Sequence, residues 1–336
     1  MVVVDAVVTD PHGGVVRGLQ QGEFEVYEDG VRQPIVTFTA VDLPVQRSRV
    51  EQRPVVRTDV VSNAPSPQAR VYVLILDDLH TRVDHTERVR QMALDFIHRI
   101  GPDDFVAVMP TGRSGSAMQE LTRDRRVLSE AIGRFKGRLH PMDQTRSPFA
   151  GRDATVEPIP SGTMDSLGMA APQRGPGPEP RERTLRLLDV IDGVAKSLGH
   201  LVDRRKSIIL FSQGTGYDLS EALRHHPEDD GIVRNPVDNV DMMVRSAVHQ
   251  TVTATMRANV AVHAIDPRGV ARFGQEGFLS ADPDVLADRA KLGQESLVSL
   301  AEATGGRAVV RTDDFGGAVE QIIRETSTYY LLGCYP

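Results

Sequence analysis

The sequence predicts an α/β protein: a doubly wound, mostly parallel sheet preceded by a small N-terminal β-module. Three observations carry that prediction. Val71-Tyr72-Val73-Leu74-Ile75-Leu76 is an unbroken run of apolar and aromatic residues that ends in Asp77-Asp78. A run without alternation marks a strand buried on both faces, as in the middle of a parallel sheet. Further runs at Phe105 to Met109, Ser207 to Phe211 and Val260 to Ile265 alternate with amphipathic helical stretches. That is the pattern of a doubly wound sheet with right-handed crossovers. Residues 1–42, by contrast, have no helical period and show period-two alternation broken by turn clusters.

Taken in order, Val2, Val4, Ala6 and Val8 alternate as a strand does, and Asp10-Pro11-His12-Gly13-Gly14 is a turn. Phe24 to Tyr27 and Ile35 to Phe38 are further strands, separated by the turn Glu28-Asp29-Gly30. A unit of about four short strands buries too little to stand alone and needs strands from elsewhere. Residues 43–70 hold Pro44, Pro54, Pro65 and Pro67 and read as a linker. The α/β domain is expected over 71–336. Val83 to Ile100 spaces Val89, Met92, Ala93, Phe96, Ile97 and Ile100 as one helical stripe, stopped by Gly101-Pro102. Ala117 to Leu121 is a short edge strand, and Asp124 starts the next helix. Eight prolines between 141 and 180 give 137–183 the composition of a disordered insertion. Thr184 to Val202, residues 238–258, Val285 to Ala303 and Phe315 to Arg324 read as helices. Ala308 to Val310 and Thr328 to Leu332 read as strands.

Composition narrows function. The chain has 336 residues, enough for two domains with a sizeable core. Its net charge of -7 argues against non-specific nucleic-acid binding. No apolar run approaches the ~20 residues that span a membrane. Aromatics are 5% and Trp is absent, so an aromatic platform for bases or sugars is not expected. The single cysteine, Cys334, excludes an internal disulfide and a cysteine-based zinc site. Met1 leads straight into a strand-like run with no signal peptide, as in a cytosolic protein or one whose leader has been removed.

Open α/β sheets bind ligands beyond the carboxyl ends of their strands. Asp77, Asp78, His80 and Thr81 lie there after the first parallel strand, Thr111 after the second, and Ser212 and Gln213 after the third. These seven form the expected partner-binding rim. Asp78 or Thr81 could equally cap the following helix, and His80 reads as a surface or capping histidine rather than a zinc ligand. The Arg123, Arg125, Arg126 run reads as a solvated helix start.

The pattern resembles the bacterial von Willebrand factor A-related proteins best known from Acidobacteria. The resemblance runs nearly end to end. It is carried by Val8-Thr9-Asp10 with its following glycine pair, Phe24-Glu25-Val26-Tyr27-Glu28-Asp29-Gly30 with Gln33, and Asp77-Asp78. It extends through Arg205-Lys206-Ser207-Ile208-Ile209-Leu210-Phe211-Ser212, Ala264-Ile265-Asp266-Pro267-Arg268-Gly269 and Tyr329-Tyr330-Leu331-Leu332-Gly333. It implies an A-type sheet domain with a β-module completed by strands after the closing Tyr-Tyr segment, hence a truncated chain. It also implies a secreted or envelope location and a protein-binding role.

A-type domains often carry a metal-ion-dependent adhesion site with the motif Asp-x-Ser-x-Ser, a Thr in a later loop and an Asp after the fourth strand. Mg²⁺ suits such a set of hard oxygen ligands. Here Asp77 matches the first Asp and Thr81 stands for the second Ser, so these two are the candidate metal ligands. Leu79 replaces the first Ser, and Gln213 stands where the late Asp is expected. Thr111 and Thr184 are both candidates for the loop Thr. The resemblance therefore implies a degenerate site and a non-enzymatic adhesion or scaffold module. No cofactor is expected, with Mg²⁺ as the one ion the site could take. The alternative to a metal is Asp77 held by backbone N–H groups at the start of the next helix. The rival chemistry is a haloacid dehalogenase-like phosphohydrolase with Asp77 as nucleophile, but Leu79 occupies the acid/base position.

Overall fold

The computed structural model describes residues 2–11, 13–28, 30–43, 69–112, 117–139, 180–201, 204–224, 236–270 and 283–335. The expected linker and Pro/Gly-rich insertion therefore fall largely outside the described residues.

Four strands open the chain: β1 (Val2–Ala6), β2 (Val26–Glu28), β3 (Val31–Gln33) and β4 (Ile35–Asp42). The α/β part follows with β5 (Val71–Leu76), α1 (Thr86–Arg99), β6 (Phe105–Pro110), β7 (Gln119–Thr122) and α2 (Arg125–Gly133). It continues through α3 (Pro180–Gly199), β8 (Lys206–Phe211), α4 (Leu219–Arg224), α5 (Pro236–Arg257) and β9 (Val260–Ile265). The last elements are α6 (Pro283–Ala303), β10 (Ala308–Val309), α7 (Phe315–Ser327) and β11 (Thr328–Cys334).

The main sheet has the order β10-β9-β8-β5-β6-β7, parallel throughout except for antiparallel β7 at one edge. Counted within the sheet, that is the doubly wound order 3-2-1-4-5-6. β5 lies centrally, paired with β6 and β8. Its alternate side chains feed two cores because successive Cβ atoms point to opposite faces. Val71, Val73 and Ile75 join α3, α5 and α6 through Leu187, Leu188, Ile191, Val244, Val248 and Leu297. Tyr72, Leu74 and Leu76 join α1, α2 and α7 through Val89, Phe96, Ile97, Leu128, Ile132 and Ile322. Helices on both faces explain why the strand could be apolar throughout. The fold is therefore α/β, doubly wound, of von Willebrand A or Rossmann-like type.

Three sequence expectations shift. The third helix begins at Pro180, not Thr184, because proline is tolerated in the first helical turn, where its missing N–H has no partner to lose. The short helix α4 was not anticipated. The third shift concerns β11, read as the closing strand of the α/β alternation. It does not enter the six-stranded sheet but lies between β1 and β4, antiparallel to both. Tyr330 is the reason it suits that place. Its ring meets Phe24 and Phe38 at 5.0 and 5.9 Å, and its hydroxyl donates to Val16 O (2.9 Å).

A buried ion pair ties this module to the amino ends of the parallel strands: Arg205, which precedes β8, meets Asp5 of β1 at 2.8 Å. Within the α/β part, Arg70 before β5 forks onto Asp104 before β6 at 2.6 Å. The module thus sits at the end of the sheet opposite Asp77.

Candidate functional site

The hydrogen-bond ladder runs one residue past each central strand. Asp77 N donates to Phe211 O (3.0 Å), Ser212 N to Ile265 O (3.1 Å) and Asp266 N to Val309 O (2.9 Å). Leu76 pairs with Pro110, so Thr111 follows beside Asp77. Thr111, Asp77, Ser212 and Asp266 therefore form a row along the carboxyl rim of β6, β5, β8 and β9.

Asp77 is the hub of that row and is fully buried. Its Oδ1 accepts from Leu79 N (3.2 Å), His80 N (3.2 Å) and Thr111 Oγ1 (2.7 Å). Its Oδ2 accepts from Ser212 Oγ (2.6 Å) and faces His80 Nδ1 at 2.8 Å, where the imidazole proton must lie if this contact is a hydrogen bond. A carboxylate offers about four lone-pair sites, so the protein's own donors saturate it. Burial pushes the Asp77 carboxyl up, but the His80 imidazole and the hydrogen bonds from His80, Ser212 and Thr111 outweigh it and hold it below the usual carboxylate range.

Asp78 behaves oppositely. Burial pushes its carboxyl up and the neighbouring Asp77 charge adds to this. The Gly112 N–H, the Thr111 hydroxyl and Arg138 only partly offset them. Oδ1 accepts from Gly112 N at 2.5 Å and lies 2.9 Å from Thr111 Oγ1. Thr111 has one proton for two carboxylates; given to Asp77 Oδ1, the shorter contact at 2.7 Å, it leaves Asp78 Oδ1 with the Gly112 N–H as its donor.

All seven rim residues come together, and all are buried. Thr111, not Thr184, is the loop threonine beside Asp77; Thr184 Oγ1 instead donates to Pro180 O inside α3. His80 is neither a surface nor a capping residue, since its ring is tied to Asp77. Asp78 and Thr81 do not cap α1, whose N-cap is His85 without a side-chain bond. The backbone donors to Asp77 belong to the turn at Leu79 and His80, not to a helix start. Gln213 takes Arg82 N on Oε1 (3.4 Å) and places Nε2 2.6 Å from His85 Nδ1. Three buried atoms of the turn have no hydrogen-bond partner among the described residues: Asp78 Oδ2, His80 Nε2 and Thr81 Oγ1. Arg125 departs from the expected solvated start: it is half-buried and reaches Gly101 O.

Asp266 is the rim residue that sequence reasoning did not assign. Arg268 Nε forks onto its two oxygens at 2.9 and 3.1 Å, and Gln294 Nε2 donates at 3.0 Å. The same Arg268 donates to Gln213 O (2.6 Å), linking Asp266 to the loop after β8. The signal was available: Asp266 directly follows the apolar run of β9, as Asp77 follows that of β5. Gly214, with φ +80°, lets this loop close onto α6, where an added Cβ would lie 1.9 Å from Gly293 O.

The chain is similar to a bacterial aerotolerance-related membrane protein. That structure, from Bacteroides fragilis with multiple mutations to serines, matches at 10% identity and TM-score 0.41, over 77% of this chain and 98% of that one. Proximal thread matrix protein 1 from the mussel byssus matches at 11% identity and TM-score 0.35, over 76% of this chain and 47% of that one. A form of it with a zinc-occupied MIDAS motif matches at 12% identity and TM-score 0.34, over 76% of this chain and 47% of that one. With TM-scores below 0.5, the fold assignment rests on strand order and not on these likenesses. No family model and no curated protein matches the chain. Among the described residues no group of three or more His, Cys, Asp or Glu is arranged to hold a metal, and no helix is long and apolar enough to cross a membrane.

Proposed function

We propose that this chain is a non-enzymatic protein-interaction module of the A type, acting as an adhesion or scaffold domain without a bound metal. The observation that carries the reading is the saturation of Asp77. Five donors of the protein occupy its two oxygens. Mg²⁺ requires near-octahedral oxygen coordination, and binding here would first have to displace those donors. Leu79 brings no oxygen, and Asp266 is held by Arg268 and Gln294. The donor set does not fit the ion, although Thr81 Oγ1 is an oxygen without a partner among the described residues. In this reading the buried row fixes the loops after β5, β6 and β8, and the partner meets the exposed residues that those loops carry.

Against phosphoryl transfer, a nucleophilic Asp77 would need a free oxygen and a second acid two residues on. The first is taken and the second is Leu79. That chemistry also uses a lysine near the phosphate, and Lys206, at the amino end of β8, lies at the opposite end of the sheet and donates to Leu201 O (3.0 Å). The partner and any envelope location belong to the same proposal.

A photo-crosslinking residue at Asp84, whose side chain is 52% exposed near the rim, and another at Asp103, 72% exposed at the far end, test the face. Protein adducts are expected from position 84 and not from position 103. Equal labelling at both, or turnover of a phosphate ester that Asp77→Asn abolishes, would defeat the reading.

A further inference from the structure

After α2, whose C-cap Arg134 is still helical, the chain from Phe135 to Leu139 binds the turn that carries the rim. Arg138 N donates to Asp78 O (2.8 Å), Leu139 N to Thr81 O (3.1 Å), and Val83 N to Leu139 O (3.3 Å). Gly137 lies so close that an added Cβ would be 2.6 Å from Arg82 O and 2.7 Å from Thr81 O. Phe135, Gly137 and Leu139 are buried, while Arg134, Lys136 and Arg138 are exposed. Period two thus puts three cations on one side of a strap in a chain whose net charge is -7.

The three cations border one cavity of about 320 Å³, together with Asp78, Pro110, Ala117 and Phe135. Asp78 is 1% exposed, and its Oδ2 has no hydrogen-bond partner among the described residues; Arg138 Nη1 is 3.5 Å away. A buried carboxylate oxygen without a donor is costly, and the Arg138 charge offsets part of that cost.

We propose that this strap and cavity bind an extended acidic segment of the protein partner, an inference that rests on the interaction-module reading above. Cations two residues apart on an extended chain are about 6.6 Å apart, the spacing of carboxylates on alternate residues of a second extended chain. The cavity takes a side chain or two, not a domain. The Asp78 carboxyl beside the cavity selects within the anions. A peptide carries single charges spaced along its backbone and can keep them clear of Asp78. A phosphate dianion concentrates its charge and meets Asp78 with repulsion.

The probe is a short fluorescent peptide alternating Glu and Ser, blocked at both ends, followed by anisotropy. Saturable binding is expected, weakening as salt rises. The triple variants Arg134→Gln/Lys136→Gln/Arg138→Gln and Arg134→Glu/Lys136→Glu/Arg138→Glu should each weaken it at least about tenfold. Circular dichroism reports their folding. The same reversal at exposed Arg123, Arg126 and Arg257 should change it less than about twofold. No binding, equal loss in the control variant, or full competition by inorganic phosphate or a single-stranded oligonucleotide would overturn the proposal. Rim-specific crosslinks from position 84 that persist when the peptide fails leave the module reading standing; loss of both removes it.

Discussion

Asp77→Ala is expected to cost about 3–5 kcal/mol of folding stability, the range for removing one partner from a buried charged network. The substitution strands Ser212 Oγ, His80 Nδ1 and two backbone N–H groups in a buried site, while Thr111 Oγ1 keeps Asp78 Oδ1 as an acceptor. Each buried donor left unpaired costs about 1–3 kcal/mol, less whatever relaxation recovers. Asp77→Asn keeps the shape and one acceptor, so its loss should be smaller. The pH dependence follows from the depressed carboxyl. Its stabilisation is complete above the unfolded-state value near 4 and is lost as pH falls through the folded value below it. Urea unfolding at pH 7 measures the loss. A cost under about 1 kcal/mol would mean that the five contacts are not a working network.

The second large effect lies in β9, mid-strand. His263 is buried with its pKa pushed down to about 3, chiefly by burial and then by the nearby Arg205 and Arg307 charges. Its Nδ1 accepts from Arg307 N (3.2 Å), so the proton sits on Nε2, which has no hydrogen-bond partner among the described residues. Below pH ~6.5 the unfolded chain protonates this group and the folded one does not. Stability should therefore fall with acidification by about 1.4 kcal/mol per pH unit, or roughly 2–3 kcal/mol between pH 6.5 and 4.5. This window lies above the one in which Asp77 acts, so the two separate. His263→Gln keeps an acceptor for Arg307 N and removes the titration. Unfolding free energies across that range should show a shallower slope in the variant. Parallel slopes would mean that His263 is accessible to protons in the folded state.

The central strands β5, β6, β8 and β9 were legible because each is an apolar run long enough to cross a two-sided core. Asp77 and Ser212 were legible for the same reason: they stand at the first position past such a run. The sequence alone could not choose between Thr111 and Thr184. That choice depends on the register of β5 against β6, a pairing of residues more than thirty positions apart. Asp266 was open to the same logic as Asp77 but its following Pro-Arg-Gly reads as a plain turn. The placement of β11 turns on Tyr330 meeting Phe24 and Phe38 from the other end of the chain, a contact with no local signature. The strap at 134–139 does carry a period-two pattern, Arg-Phe-Lys-Gly-Arg-Leu, hidden because it directly follows a helix.

Asp77 as a carboxylate satisfied by protein donors, with none of its oxygens left for a cation, is the claim on which the rest depends. Calorimetric titration of Mg²⁺ and Mn²⁺ into the wild-type protein and into Asp77→Ala addresses it directly. Heats of dilution alone are expected from both proteins. A saturable heat in the wild type that vanishes in Asp77→Ala would contradict the claim.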